Sequence, residues 1–183
     1  MMHIALLRAI NLAGVNKVGM ADLRDLLASL GFPDAQTLLN SGNIVFSGGN
    51  KTTAALEQTL ERAAAKELGV QTDFFVRTAK EWRTIIDANP FPREATDDPG
   101  HLLAVVMKDE IAAANVTALQ KAIVGREVIR AKGRCAYIVY PDGVGRSKLT
   151  SAMIEKRLGT RGTARNWNTV LKLGSLCQTS SPT

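Results

Sequence analysis

Apolar and polar positions along the chain run through two rounds of one pattern. Residues 3–10 form an apolar run suited to a buried strand. After a polar, glycine-containing loop, Met20, Leu23, Leu27 and Leu30 recur at helical spacing, and Gly31 followed by Pro33 stops that helix. Residues 35–39 and 44–46 read as short strands joined by Asn40-Ser41-Gly42-Asn43, which has hairpin turn chemistry. Leu56, Leu60, Ala64 and Leu68 mark a second amphipathic helix, residues 70–77 another strand, and the segment around Trp82 a third helix.

Residues 89–100 are proline-rich and acidic and read as a linker. The order then returns. Residues 102–107 are strand-like, and Ala112, Val116, Leu119 and Ile123 share a helix face. Residues 127–131 and 135–140 form a hairpin across Lys132-Gly133-Arg134, residues 149–158 a helix and 160–165 a short strand. In the last helix Trp167, Val170, Leu171 and Gly174 fall on one face. The predicted class is therefore α+β: two tandem ferredoxin-like (βαββαβ) modules with antiparallel sheets, each followed by an extra helix. Residues 1–90 would be the first module with its helix, 91–100 the linker, 101–178 the second module with the C-terminal helix, and 179–183 a disordered tail.

A direct repeat supports this division. Thr78-Ala79-Lys80-Glu81-Trp82-Arg83-Thr84-Ile85-Ile86 aligns without a gap on Thr163-Ala164-Arg165-Asn166-Trp167-Asn168-Thr169-Val170-Leu171, with four identities, and holds both tryptophans of the chain. Lys-x-Leu-Gly precedes each copy, at Lys66 to Gly69 and at Lys156 to Gly159. Two long copies indicate paired modules rather than a solenoid. Each tryptophan is expected to anchor its added helix to a sheet.

Charge distinguishes the halves. The net +6 arises wholly from residues 91–183, with fourteen basic against eight acidic side chains, because residues 1–90 carry nine of each. Between Arg126 and Lys172 eleven basic residues face only Glu127, Asp142 and Glu155. Such a field attracts nucleic acid, phosphorylated metabolites or an acidic partner, although a solubilising excess would look the same. Cys135 and Cys177 make neither a disulfide framework nor a zinc site. No cofactor or metal site is expected, since Asp97-Asp98 lies in the linker and no His/Cys set fits zinc. No stretch approaches membrane-spanning length and the start of the chain reads as a strand, so a cytoplasmic protein without a membrane partner is expected. The oligomeric state is open, a monomer being compatible with the pattern.

Candidate binding residues lie in three places. The loop after the first strand offers Arg8, Asn11, Asn16 and Lys17, which with Ser41 and Asn43 supply amides and cations but no base. The loop Asp142-Gly143-Val144-Gly145-Arg146-Ser147-Lys148-Leu149-Thr150 puts glycines, Arg146, Ser147 and Lys148 at a strand-to-helix junction, where converging backbone N–H groups can hold a phosphate. A tight turn with a hydroxyl N-cap accounts for the same residues. Arg165, Asn166, Trp167 and Asn168 open the last helix and could stack a nucleotide. His3 and His101 are the only histidines, and neither has Ser or Cys at a familiar triad spacing. The central strands hold no aromatics, which argues against a standard RNA-recognition module.

At Leu6-Leu7-Arg8-Ala9-Ile10-Asn11, Met20-Ala21-Asp22-Leu23-Arg24, Leu30-Gly31-Phe32, Asn40-Ser41-Gly42-Asn43, Gly145-Arg146-Ser147-Lys148 and the Trp167 motif, the chain resembles a bacterial family catalogued as domain of unknown function 1697. The resemblance runs from about Ile4 to about Leu176 and implies a pair of ferredoxin-like modules, with no activity, cofactor or catalytic residue to carry over. Ala9 stands where a glycine is expected after the arginine of the first motif. The residues favour a binding protein whose basic second module takes an anionic ligand, either nucleic acid or a nucleotide-like or phosphorylated metabolite. The alternative is an enzyme on a small phosphorylated or carboxylated substrate in the inter-module cleft. A scaffold using exposed sheet faces is a third class, for which no residue speaks.

Overall fold

A computed structural model describes residues 1–8 and 18–179. Asn11, Asn16 and Lys17 lie outside the described residues, as do positions 180–183 of the expected tail. The elements follow in the order β1 (Met2–Leu7), α1 (Met20–Ser29), β2 (Gln36–Leu38), β3 (Asn43–Ser47), α2 (Thr53–Glu67), β4 (Phe74–Thr78) and α3 (Ala79–Asp87). The helix α4 (Pro92–Asp97) comes next. Then come β5 (Leu102–Met107), α5 (Ala113–Ala122), β6 (Val128–Lys132), β7 (Cys135–Val139), a 3-10 turn (Val144–Arg146), α6 (Ser151–Leu158), β8 (Gly162–Asn166) and α7 (Trp167–Thr179). Two four-stranded antiparallel sheets result, ordered β2-β3-β1-β4 and β6-β7-β5-β8, which is the βαββαβ pattern twice.

The chain divides into two compact units: residues 1–84 with the helix end from Lys172 onward, and residues 85–171. In the first unit Ala5, Leu7, Ile44, Phe46, Phe74 and Val76 pack against Leu23, Leu27, Leu56 and Leu60 of α1 and α2. In the second, Leu103, Val105, Met107, Ala136 and Ile138 meet Leu119, Ile154 and Leu158. All six residues of β1 and all six of β5 are buried, so neither central strand has a solvent face. In the second unit the face turned away from α5 and α6 is covered in part by Trp167, whose ring lies 6.3 Å from that of Tyr137. The Tyr137 hydroxyl donates to the Ile85 carbonyl at 2.7 Å.

Local signals set the boundaries. Thr52 and Thr150 cap α2 and α6, each side chain accepting a backbone N–H three residues on. Thr78 and Glu81 form a capping box at α3: Glu81 N donates to Thr78 Oγ1 at 3.1 Å, and Thr78 N to Glu81 Oε2 at 2.8 Å. The proline-rich segment is more ordered than a linker, with Pro92 in the first turn of α4 and an Arg93–Asp97 pair at 3.5 Å along it. On α7 the buried positions are Trp167, Val170, Leu173 and Cys177, whereas Leu171 is exposed. Three-residue steps from Trp167 carry the apolar stripe past Leu171.

Strand register also corrects the repeat. Thr78 pairs with His3, the second residue of β1, while Asn166 pairs with Leu103, the second residue of β5. Thr78 thus corresponds to Asn166, not to Thr163, and Arg77 to Arg165. Three residues are nearly one helical turn, so both tryptophans project from similar helix faces despite the offset.

The outer edge of β4 carries a cluster of buried polar groups. Phe74 N donates to Glu61 Oε1 at 3.0 Å and Val76 N to Glu57 Oε1 at 2.8 Å, which closes the edge to further strand pairing. Glu57 also lies 3.6 Å from Nη1 of Arg77, whose side chain is only 2% exposed. In the second unit Glu155 accepts from Gly162 N on the edge strand β8 at 3.1 Å. Replacing Glu57 by alanine strips a nearby carboxylate from a buried guanidinium, and urea denaturation should show a loss of about 3 kcal/mol. An unchanged midpoint would refute this role.

His3 is fully buried beside Phe46, with ring centroids 5.8 Å apart. A Cβ on Gly48 would stand 2.7 Å from its Nδ1, so only glycine fits there. Its Nδ1 lies 3.0 Å from the Met1 carbonyl, while Nε2 has no partner among the described residues. Burial lowers the His3 pKa, helped by the N-terminal charge and opposed by the Met1 carbonyl and Glu81. Above about pH 6.5 the ring is neutral in both states; below it the unfolded chain binds the proton first, so stability falls. Melting curves at pH 7 and pH 5 should therefore show a larger acid loss in wild type than in His3→Leu, and equal losses would contradict the assignment.

Candidate functional site

At the end of the first unit's sheet, Leu7 N donates to the Gly42 carbonyl at 2.9 Å and Arg8 N to the Asp73 carbonyl at 3.0 Å. Arg8, Ser41 and Asn43 thus share one end of the sheet. Arg8 is half-buried with Nη1 3.4 Å from Asp73 Oδ2. Asn43 is fully buried, and its amide donates to the Leu38 carbonyl at 2.9 Å and to Ser41 Oγ at 2.8 Å. It fastens the hairpin turn, where Leu39 takes φ 60° and Gly42 φ 69°. The hydrogen bonds of Asn43 and the ion pair of Arg8 serve the fold.

The second unit gathers more chemistry where β5 begins and β7 and β8 end. Tyr140 N donates to the His101 carbonyl at 2.8 Å, and Trp167 N to the Pro99 carbonyl at 3.2 Å. The turn 98–101 is thereby stitched to the end of β7 and to the start of α7. Gly143 N reaches back to the Tyr140 carbonyl at 2.9 Å, which brings the loop 142–148 to the same place. Gly143 adopts φ 83°, ψ 150°, a conformation essentially reserved for glycine. A Cβ there would sit 3.5 Å from His101 Nε2, so this histidine lies against the loop. Its Nδ1 is 2.6 Å from Asp98 Oδ2, and both side chains are about half exposed.

The loop is itself braced. Ser147 Oγ donates to Glu127 Oε1 and accepts from Leu149 N at 3.0 Å. Glu127 is buried, and its carbonyl accepts from Gln120 Nε2 at 3.1 Å. Burial, assisted by the Glu127 charge, pushes the Tyr140 phenol up to about 12. Arg126 grips Asp142 through Nε at 3.0 Å and through Nη2. Hydrogen bonding to Arg126 holds the Asp142 carboxyl below its ordinary range, and the Arg146 charge adds to this. Arg146 and Lys148 are exposed. The backbone N–H groups of Arg146 and Ser147 donate within the 3-10 turn, to the Gly143 and Val144 carbonyls at 3.3 and 3.2 Å. Those two amides are therefore committed within the turn, which leaves the loop's exposed side chains, Arg146 and Lys148, as its charged contacts.

The segment 165–168 contributes unevenly. Trp167 is buried against Tyr137, a packing role rather than a stacking platform. Asn166 caps α7, its Oδ1 accepting from Thr169 N at 3.0 Å. Arg165 is half-buried, with Nη1 donating to Thr163 Oγ1 at 2.9 Å and to the Ala164 carbonyl at 2.8 Å. Burial draws its pKa down to about 10. Asn168 is exposed. What the sequence reading missed is the Asp98–His101 pair; the usable signal was Asp-x-x-His ahead of an apolar strand. Among the described residues no group of three or more His, Cys, Asp or Glu could hold a metal ion.

A family model described as a protein of unknown function (DUF1697) matches residues 1–137. The chain belongs to that family. A solved structure, described as the conserved bacterial protein SP0830 from Streptococcus pneumoniae, is similar with a TM-score of 0.74 and 23% identity, covering 96% of this chain and 98% of that one. That likeness shows the shared fold alone. No curated protein matches the chain. Among the described residues no helix is long and apolar enough to cross a membrane.

Gly143→Ala should cost about 1–3 kcal/mol, because the backbone conformation excludes a side chain there. It should also shift the His101 imidazole resonances. A variant as stable as wild type with an unperturbed His101 would contradict the described loop.

Proposed function

We propose that this DUF1697 protein binds a phosphate-bearing anionic ligand at the 142–148 loop of its second unit. The observation that carries the reading is the pair of exposed cations, Arg146 and Lys148, on either side of a Ser147 that Glu127 fixes in place. The surrounding sequence adds a long-range field, since residues 91–183 carry the whole +6. His101 lies against Gly143 of the loop and would add an imidazole to such a site, while Asn168, exposed in the first turn of α7, is a further candidate contact beside Arg165, Asn166 and Trp167. Both a nucleic acid and a phosphorylated metabolite offer the required anion.

A second reading is an enzyme on a small phosphorylated or carboxylated substrate. The Asp98–His101 pair favours it, because it supplies the titratable group that the loops alone lack.

The test is the double variant Arg146→Ala/Lys148→Ala, assayed against a short single-stranded oligonucleotide and against phenyl phosphate over a range of salt. Removing two phosphate contacts should weaken binding about tenfold or more and flatten the log–log salt slope by roughly 1.5. Affinity and slope equal to wild type would sink the reading.

A further inference from the structure

Resting on the ligand loop just proposed, the geometry around His101 narrows the ligand. Asp98 Oδ2 lies 2.6 Å from Nδ1 and holds the Nδ1 proton, so the free position of the neutral ring is Nε2, a proton acceptor. That nitrogen lies against Gly143, the first residue of the turn that presents Arg146. Asp98 pairs with it on its own turn; the loop that Gly143 belongs to carries Asp142 and Arg146, and Arg126 is bound to Asp142. The first residues of α7, Trp167 and Asn168, bring no charge.

Asp142 is occupied by Arg126 and neighboured by Arg146, so this corner holds two cations against two carboxylates before a ligand arrives. A proton on His101 is the change that tips it positive. Phosphate monoesters have a second ionisation near pH 6, close to the ordinary histidine value, whereas diesters have none. A monoester monoanion can pass its remaining proton to Nε2 and stay as the dianion against the imidazolium. One proton moves and no bond to phosphorus forms or breaks. A diester in a nucleic acid backbone has no such proton to give and only one charge to offer.

We propose that Asp98, His101 and the Gly143–Arg146 turn form a subsite for the terminal dianionic phosphate of a small phosphate monoester, with His101 bound as the imidazolium. The preference is then for a phosphorylated small molecule over a nucleic acid backbone. Asp98 acts as a positioning residue, keeping the ring turned and supporting its charge.

The chain has only two histidines, and buried His3 serves as an internal control for NMR titration of the imidazole resonances. With phenyl phosphate added to the full chain, the His101 midpoint should move up while that of His3 stays in place, and dimethyl phosphate should move neither. Calorimetry should show His101→Gln losing about tenfold in phenyl phosphate affinity at pH 6, the worth of one charge-assisted hydrogen bond. At pH 8 the loss should be smaller. Asp98→Asn should reduce the His101 shift while leaving the fold intact by circular dichroism. Phenyl phosphate binding with an unmoved His101 midpoint would overturn this inference and leave the loop reading standing. An equal response to dimethyl phosphate would overturn it in favour of a backbone-binding loop. No binding of either probe would overturn the subsite, and no oligonucleotide binding besides would take the loop reading with it.

Discussion

Neither β1 nor β5 has a residue exposed to water, and this double burial is the constraint from which the rest of each unit follows. A four-stranded sheet buried on one face needs two helices; one buried on both faces needs a further cover. In the second unit that cover includes Trp167 and the Ile85 carbonyl that receives the Tyr137 hydroxyl. The buried stretches of the edge strands also carry backbone groups turned away from the sheet, where an unpaired N–H is expensive. Glu57 and Glu61 on β4, and Glu155 on β8, supply the missing acceptors. Arginines at matched register, Arg77 and Arg165, lie buried or half-buried in the two edge strands, each donating to the carbonyl of the residue before it.

Groups committed in this way spend part of their hydrogen-bonding capacity on the fold. Arg165, Asn166 and Trp167 look like a nucleotide platform in one dimension, yet each is engaged in bracing the second unit. The proposed site lies instead at what the strands hold up at their ends. There the turn 98–101 and the loop 142–148 are tied to the same strand termini by the Tyr140, Trp167 and Gly143 amides. The ties fix the backbone, while Arg146, Lys148 and the edge of His101 stay open to solvent. A site built from rigid strand ends and short turns needs little ordering when a ligand arrives.

Much of the fold was legible in the sequence. Apolar runs in β1 and β5, helical spacing in α1 and α2, and the hydroxyl cap in the loop that ends at Thr150 are local signals that tertiary structure did not overrule. The misreadings have physical causes. The gapless match of the two tryptophan segments aligned letters, whereas strand register matches Thr78 with Asn166, because the tryptophan stands three residues later in α3 than in α7. Leu171 was assigned to the buried face from i, i+3, i+4, i+7 spacing counted from Trp167, but the stripe steps from Val170 to Leu173. The segment before β5 was read from its prolines, which hid a helix start at Pro92 and the Asp98–His101 pair. Hydrogen bonds over three residues inside a turn leave no periodicity to detect.

The most direct measurement of the central claim is an amide ¹H–¹⁵N spectrum of the full chain recorded with and without a saturating phosphate monoester at low salt. The account requires perturbations concentrated in residues 98–101 and 142–148, with the Arg8 and Asn43 end of the other sheet unmoved. Shifts spread evenly over every lysine and arginine, or confined to the Arg8 end, would contradict it.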